Sequence, residues 1–292
     1  MPKVQLGTLD NVRLMLYGQP GTGKTYTWLK MCLSMPNARF HVIDIDNGVN
    51  AVIRGFTPEE QKTITDRMDY YLCNDWPDVK DSFDEIRKNA KPADWLILEQ
   101  TGQLWDMVQE YYVKRVFDGD LGEFFTQLRS NLEEQNKKGK LAQASLDGWK
   151  DWAVIKKLHN QDFMDVFTKR LACNVMLTAS ASKLSEQFEK PDTLDIFGRC
   201  GWKPEGEKHN IYRVDGIVLL WIDKEGKFWM RTMKSRGVPE FTEKLNGRTA
   251  FEIYMAKRDR LEPIVPTLDE AIASSQPLYA IAQPESGHSI EL

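Results

Sequence analysis

The chain has 292 residues, of which 41% are hydrophobic and 11% aromatic, enough to bury a sizeable core in about one or two domains. Its formal net charge of -4 excludes a global basic field, so any contact with nucleic acid has to be local. Cys32, Cys73, Cys173 and Cys200 are scattered, with no C-x-x-C and no adjacent histidine pair, which speaks against zinc and against a disulfide framework and fits a reducing compartment. The opening residues lack a charged start followed by a long apolar run. No stretch approaches the roughly 20 apolar residues of a membrane helix. A cytoplasmic protein with no membrane partner is therefore expected.

The apolar run Val12–Tyr17 leads straight into Gly18-Gln19-Pro20-Gly21-Thr22-Gly23-Lys24-Thr25, followed by Tyr26. This matches G-x-x-x-x-G-K-[ST]. Glycines let successive backbone N–H groups turn inward on phosphates, the lysine reaches the β- and γ-phosphates, and the threonine hydroxyl faces Mg²⁺. A helix starting there adds the positive end of its dipole. Trp28, Met31, Cys32 and Met35 follow at helical spacing until Pro36. ATP with Mg²⁺ is the expected ligand.

Arg39–Asp46 reads as a second strand whose apolar run ends in Asp44 and Asp46, with Asn47-Gly48 turning the chain. Acids at the carboxyl end of a strand in an open α/β sheet face the ligand. Asp46 is the candidate for orienting an attacking water. Asp44 has a supporting or metal-side role, or it only solvates the strand end or caps the next helix, an alternative open to Asp46 as well.

Thr57-Pro58-Glu59-Glu60 signals a helix start, Tyr70–Cys73 a short strand, and residues 74 to 91 a helix ending at Lys91-Pro92. Trp95–Glu99 is a buried strand ending in an acid, the pattern of a carboxylate that holds Mg²⁺ behind a P-loop. Glu99 takes that place, where aspartate is usual, and with Thr25 forms the expected metal set. Residues 109 to 172 read as helical with a basic break at 134–140, and Trp149, Trp152, Ile155 and Phe167 fall close to one face, as for core packing.

Cys173–Ser180 is a further buried strand with Ser180 at its carboxyl end. From Lys183 to Asn210 a polar loop carries Lys190, Arg199, Lys203 and Lys208 among Phe188, Phe197 and Trp202, and a long loop inside a domain is commonly functional. Val214–Ile222 and Lys227–Met233 form a hairpin ending in Lys234-Ser235-Arg236. A domain over residues 1–260 is expected, with a flexible tail over 261–292.

This order of parts resembles the RecA-like P-loop ATPases, and within them the compact phage nucleotide-binding proteins related to single-strand annealing ATPases. The likeness spans about residues 10 to 250. It implies an α/β fold with a mostly parallel central sheet, flanking helices and a C-terminal β-hairpin. It also implies ATP hydrolysis with Asp46 as catalytic carboxylate, Glu99 as metal acid, and Ser180 where glutamine or histidine is more usual. Lys234 and Arg236 match a pair that reaches the γ-phosphate of a neighbouring subunit, which implies a homo-oligomer. The 183–210 loop matches the segment that contacts single-stranded DNA, in recombination or replication. A nucleotide-dependent assembly protein without DNA binding, or a helicase-loader-like ATPase, are the alternatives.

Overall fold

The structure is a computed structural model. It describes residues 11–134, 150–171, 173–185, 187, 189–236 and 238–262. The central sheet runs β3-β2-β4-β5-β1-β7-β8-β9. Its strands are β1 (Arg13–Gly18), β2 (Phe40–Asp44), β3 (Met68–Leu72), β4 (Trp95–Glu99), β5 (Asn174–Lys183), β6 (Trp202–Pro204), β7 (Gly216–Ile222), β8 (Phe228–Ser235) and β9 (Thr242–Lys244). The pairs from β3 across to β7 are parallel, while β8 and β9 add antiparallel and β6 pairs antiparallel with β5 off the main path.

Parallel strands covered on both faces need apolar side chains at every position, and β1, β2 and β4 are buried throughout, save the first residue of β1. Alternation then divides the residues between two cores. Met15, Tyr17, Ile43, Leu96, Leu98 and Leu177 pack on one face, against helices α4 (Trp76–Asn89) and α5 (Thr101–Phe117) and the segment carrying Ile155, Phe163 and Phe167. Leu14, Leu16, Val42, Ile97, Met176 and Leu220 pack on the other. There they meet helix α1 (Lys24–Ser34), through Trp28, Leu29 and Met31, and helix Ala250–Arg258, through Phe251, Ile253 and Tyr254. Each such side chain taken fully out of water contributes about 1.5–3 kcal/mol.

The stretch expected to be helical from 109 to 172 is interrupted. Asp118, at φ 53, ends α5, and a separate helix covers Leu121–Glu134. The basic break at 134–140 lies outside the described residues after Glu134, as does Trp149. Residues 151–169 then run as α-helix, a π-helical turn at Lys157–Met164, and α-helix again. Ile155 and Phe167 are fully buried and Trp152 stacks on Trp105 at 5.9 Å, as core packing requires.

The segment 183–210 is not an irregular loop. It contains the helix Pro191–Phe197 and strand β6, whose Lys203 pairs with Ser182 and Trp202 with Lys183. Phe197 is fully buried with its ring 5.8 Å from that of Tyr17, whose hydroxyl donates to the Trp202 carbonyl at 3.1 Å, so apolar and polar contacts both fold this segment onto β1. The hairpin forms as expected, its turn held by Asp223, which accepts from the N–H groups of Glu225 and Lys227 and from the Trp229 indole. The expected tail falls outside the described residues from 263 onward. No helix among the described residues is long and apolar enough to cross a membrane.

Candidate functional site

β1 leaves the sheet at Gly18, in register with Ser180 of β5 and Leu220 of β7. Gly18 is required by crowding rather than by an unusual φ, because a Cβ there would lie 2.4 Å from the Leu220 carbonyl oxygen and 2.7 Å from Thr22 Oγ1. Gly21 and Gly23 instead take φ values of 80° and 95°, the left-handed region where glycine is at ease, and Gly23 starts α1. Thr22 closes the turn by donating to the Gln19 carbonyl at 2.8 Å, and Gln19 Nε2 donates to the Ala181 carbonyl at 3.1 Å. The Lys24 ammonium folds back on the loop, donating to the carbonyls of Gly18 at 2.8 Å and Gln19 at 3.1 Å. Burial pulls the Lys24 pKa down, against the charges of Glu99, Asp46 and Glu205, which hold it up.

Glu99 is 2% exposed and both its oxygens are occupied: Oε1 accepts from Thr25 Oγ1 at 3.0 Å and Oε2 from the Trp28 indole N–H at 2.8 Å. Burial pushes its pKa up to about 7, despite these bonds and Lys24. The longer glutamate thus reaches the P-loop threonine, with a tryptophan from the same helix fixing its far oxygen. No group of three or more acid, histidine or cysteine side chains fit to hold a metal occurs among the described residues. The donor set fits Mg²⁺ nonetheless, since a hydroxyl and a carboxylate converge where phosphate oxygens and water would complete the shell.

The two acids expected to end β2 part ways, because the strand stops at Asp44 and Asp46 lies two residues beyond it. Asp44 is wholly buried, accepting from the N–H groups of Asn47 and Val49 and from the Tyr70 hydroxyl at 2.7 Å, so its carboxylate builds the strand end. Asp46 accepts from Gly48 N on one oxygen and from Gln100 Nε2 on the other, each at 2.9 Å. Ser180 Oγ donates to Gln100 Oε1 at 2.8 Å. Gln100 and Glu205 were not among the residues singled out by sequence. A polar residue directly after an acid-ended strand was the available signal for Gln100, and nothing in the sequence separated Glu205 from its polar neighbours.

Lys234 and Arg236 lie far from the P-loop of their own chain. Ser235 pairs with Gly216, which is level with Leu14 of β1, roughly 13 Å below Gly18 along the strand. Lys234 turns inward, donating to the carbonyls of Ile211 and Val214. Arg236 is exposed and pairs with Asp215 at 3.2 Å. Among the cations of 183–210, Lys203 is paired with Glu189, Arg199 lies 3.7 Å from Glu240, and Lys190 and Lys208 are exposed. Phe188 lies outside the described residues.

A groove of about 580 Å³ opens beside the P-loop, lined by Gly21, Tyr26, Phe228, Lys244, Leu245 and Asn246 among others. Tyr26 is half exposed there and stacks on Phe56 at 5.3 Å. Its far wall is the end of β9 and the turn from Leu245 to Thr249, and neither β9 nor the helix that follows the turn was read in the sequence. The Thr249–Glu252 capping box was the signal that marked that helix.

One strand, β5, separates the P-loop strand β1 from the acid-ended β4. The sequence profile of the AAA_24 family, described as an AAA domain, matches residues 10–235, and the chain belongs to that family. A comparison with curated protein sequences finds no match. Among solved structures, the crystal structure of the RadB recombinase is similar at 16% identity, covering 81% of this chain and 89% of that one, with a TM-score of 0.43. A prototypical ATPase from the type III secretion system of pathogenic bacteria is similar at 9% identity, covering 74% of this chain and 53% of that one, with a TM-score of 0.39.

Proposed function

We propose that the protein binds Mg-ATP at Gly18–Thr25, hydrolyses it, and works on single-stranded DNA in recombination or replication in the cytoplasm, as the resemblance to phage nucleotide-binding proteins suggests. The observation that carries this reading is the meeting of Lys24, Thr25, Glu99 and Asp46 beyond the carboxyl ends of β1, β4 and β2. Lys24 exchanges its carbonyl partners for the β- and γ-phosphates. Thr25 and Glu99 would hold Mg²⁺, which would supply charge neutralisation to the phosphate oxygens. Asp46 accepts a hydrogen bond from the attacking water and aims it at the γ-phosphorus. Tyr26 and the groove beside it take the nucleoside.

Two further parts complete the proposal. Lys190, Arg199 and Lys208 are exposed on the segment that continues from β5 and Ser180, where DNA phosphates would bear on the nucleotide site. Arg236 is exposed and remote from its own P-loop, as suits a guanidinium that completes the site of a neighbouring copy in a homo-oligomer. Lys234 supports it from within by holding the Ile211 and Val214 carbonyls.

Steady-state ATP hydrolysis with and without single-stranded DNA, over a salt series, tests the reading. Turnover should rise with DNA and the stimulation should fade with salt. Absence of turnover under every condition would overturn hydrolysis, whereas turnover indifferent to DNA at low salt would favour an assembly protein. Mixing inactive Lys24→Ala protein, which keeps Arg236, with Arg236→Ala protein should restore activity if Arg236 acts in trans.

A further inference from the structure

β5 does not stop at Ser180 as expected but runs on to Lys183, because its last residues pair with β6. Ser180 stands opposite Gly18, the last residue of β1, its side chain is too short to reach across to β2, and its hydroxyl is spent on Gln100. Gln100 follows Glu99 at the start of α5 and spans the gap: its carbonyl accepts from Ser180 at 2.8 Å while its amide nitrogen donates to Asp46 at 2.9 Å. An amide has unlike ends. Turned over, its oxygen would face the Asp46 carboxylate, which can only accept, whereas the Ser180 hydroxyl can donate or accept and suits either end; the carboxylate therefore selects the rotamer that offers it N–H, and Ser180 anchors the other end of the amide by donating to its oxygen. The bridge adds no charge to a place where Asp46, Glu99 and Glu205 already surround Lys24.

We propose that Gln100 is a positioning residue that aims the Asp46 carboxylate, and that Ser180 acts on Asp46 only through it. The inference rests on the reading of Asp46 as the group that orients the attacking water. With Gly48 N on Oδ1 and Gln100 on Oδ2, Asp46 has one orientation, and losing the amide leaves it free to turn about its side-chain bonds. Ser180 and Thr101 also hold the segment that carries the proposed DNA-binding cations. Glu205 donates its N–H to the Ser180 carbonyl at 2.9 Å and accepts on its own carbonyl from Thr101 Oγ1 at 3.0 Å.

The test is a double-mutant cycle on Gln100 and Ser180, read as kcat against KM and as Mg-ATP affinity by fluorescent-nucleotide titration. Gln100→Ala, and Gln100→Met as a variant of similar bulk, should lower kcat by about tenfold or more with KM and affinity held within about twofold. Ser180→Ala should lower kcat less, and Ser180→Ala combined with Gln100→Ala should be no slower than Gln100→Ala alone. Unchanged kcat in both Gln100 variants, losses that multiply in the double variant, or kcat and affinity falling together would each overturn the relay. Asp46→Asn separates the causes of failure. Its turnover lost beside normal turnover in Gln100→Ala overturns the relay alone. Normal turnover in Asp46→Asn, or none in the unaltered protein, overturns the role given to Asp46 and the relay with it.

Discussion

At the amino end of β2, His41 lies between Asp69 at 3.0 Å and Asp94 at 3.4 Å, and Asp69 is doubly bonded by Arg39. Asp94 further accepts from the N–H groups of Arg39 and Lys91. Beyond the carboxyl end of the same strand, Asp46, Glu99 and Glu205 surround Lys24, whose ammonium is tied up by backbone carbonyls instead. Both ends bury charge, but the first end matches basic groups to acidic ones and the second leaves acid in excess, held in place by hydroxyl, indole and amide donors. Matched charge serves the architecture. An excess of carboxylate fixed by neutral donors is what a site that accepts a divalent cation requires.

The contrast breaks if the two ends respond alike to substitution. Lys24→Ala should have the largest effect, weakening Mg-ATP binding by about a hundredfold or more and removing turnover, with little change in melting temperature, because the lysine makes no ion pair that the fold depends on. Isothermal titration beside a thermal melt checks both halves. His41→Leu should do the reverse, lowering stability by about 2 kcal/mol in urea unfolding while Mg-ATP affinity stays unchanged, since buried Asp94 and partly buried Asp69 lose a partner far from the nucleotide.

A third case sits away from both ends. His159, fully buried in the π-helical turn with Asn160 on Nδ1 at 2.8 Å, has its pKa pulled down to about 4 by burial. The unfolded chain takes up a proton near pH 6.5 that the folded chain refuses until about pH 4, so stability falls as the pH drops through that window. The loss reaches on the order of 3 kcal/mol, and a His159→Gln variant should lack that part of the slope when urea midpoints are compared between pH 7 and 4. The smallest effect sharpens the carboxyl end. Trp28→Phe keeps an aromatic side chain, though a smaller one, and removes the N–H on Glu99 Oε2, and should weaken Mg²⁺-dependent nucleotide affinity by about fivefold while leaving Mg²⁺-free binding unchanged.

The parts readable from sequence share one property, that their signal is local. Gly18–Thr25 is contiguous, β2 and β4 are short, mostly apolar runs ending in acids, and the hairpin announces its turn at residues 223–226. What escaped depends on residues distant in the chain. Trp28 reads as a core aromatic on an apolar helix face, and its bond to Glu99 is set by how α1 crosses β4. Asp44 and Asp46 look alike in sequence, and Tyr70 of the neighbouring strand makes the first structural. β6 is too short, and ends in a proline, to register as a strand, yet Phe197 packing on Tyr17 brings it against β5.

The position of β1 has a consequence for how the chain is made. β2, β3 and β4 are near neighbours in sequence and pair with one another, but β1 pairs with β5 and β7, so Leu14 waits for Met176 and then for Gly216. At about 5–20 residues per second, the ribosome takes roughly 10–40 s to deliver Gly216 after Leu14 has been added. The phosphate loop is made well before the strands on either side of β1 that wall it in. Nascent chains halted before β7 should therefore resist protease over β2–β4 while Val12–Thr25 is still cut.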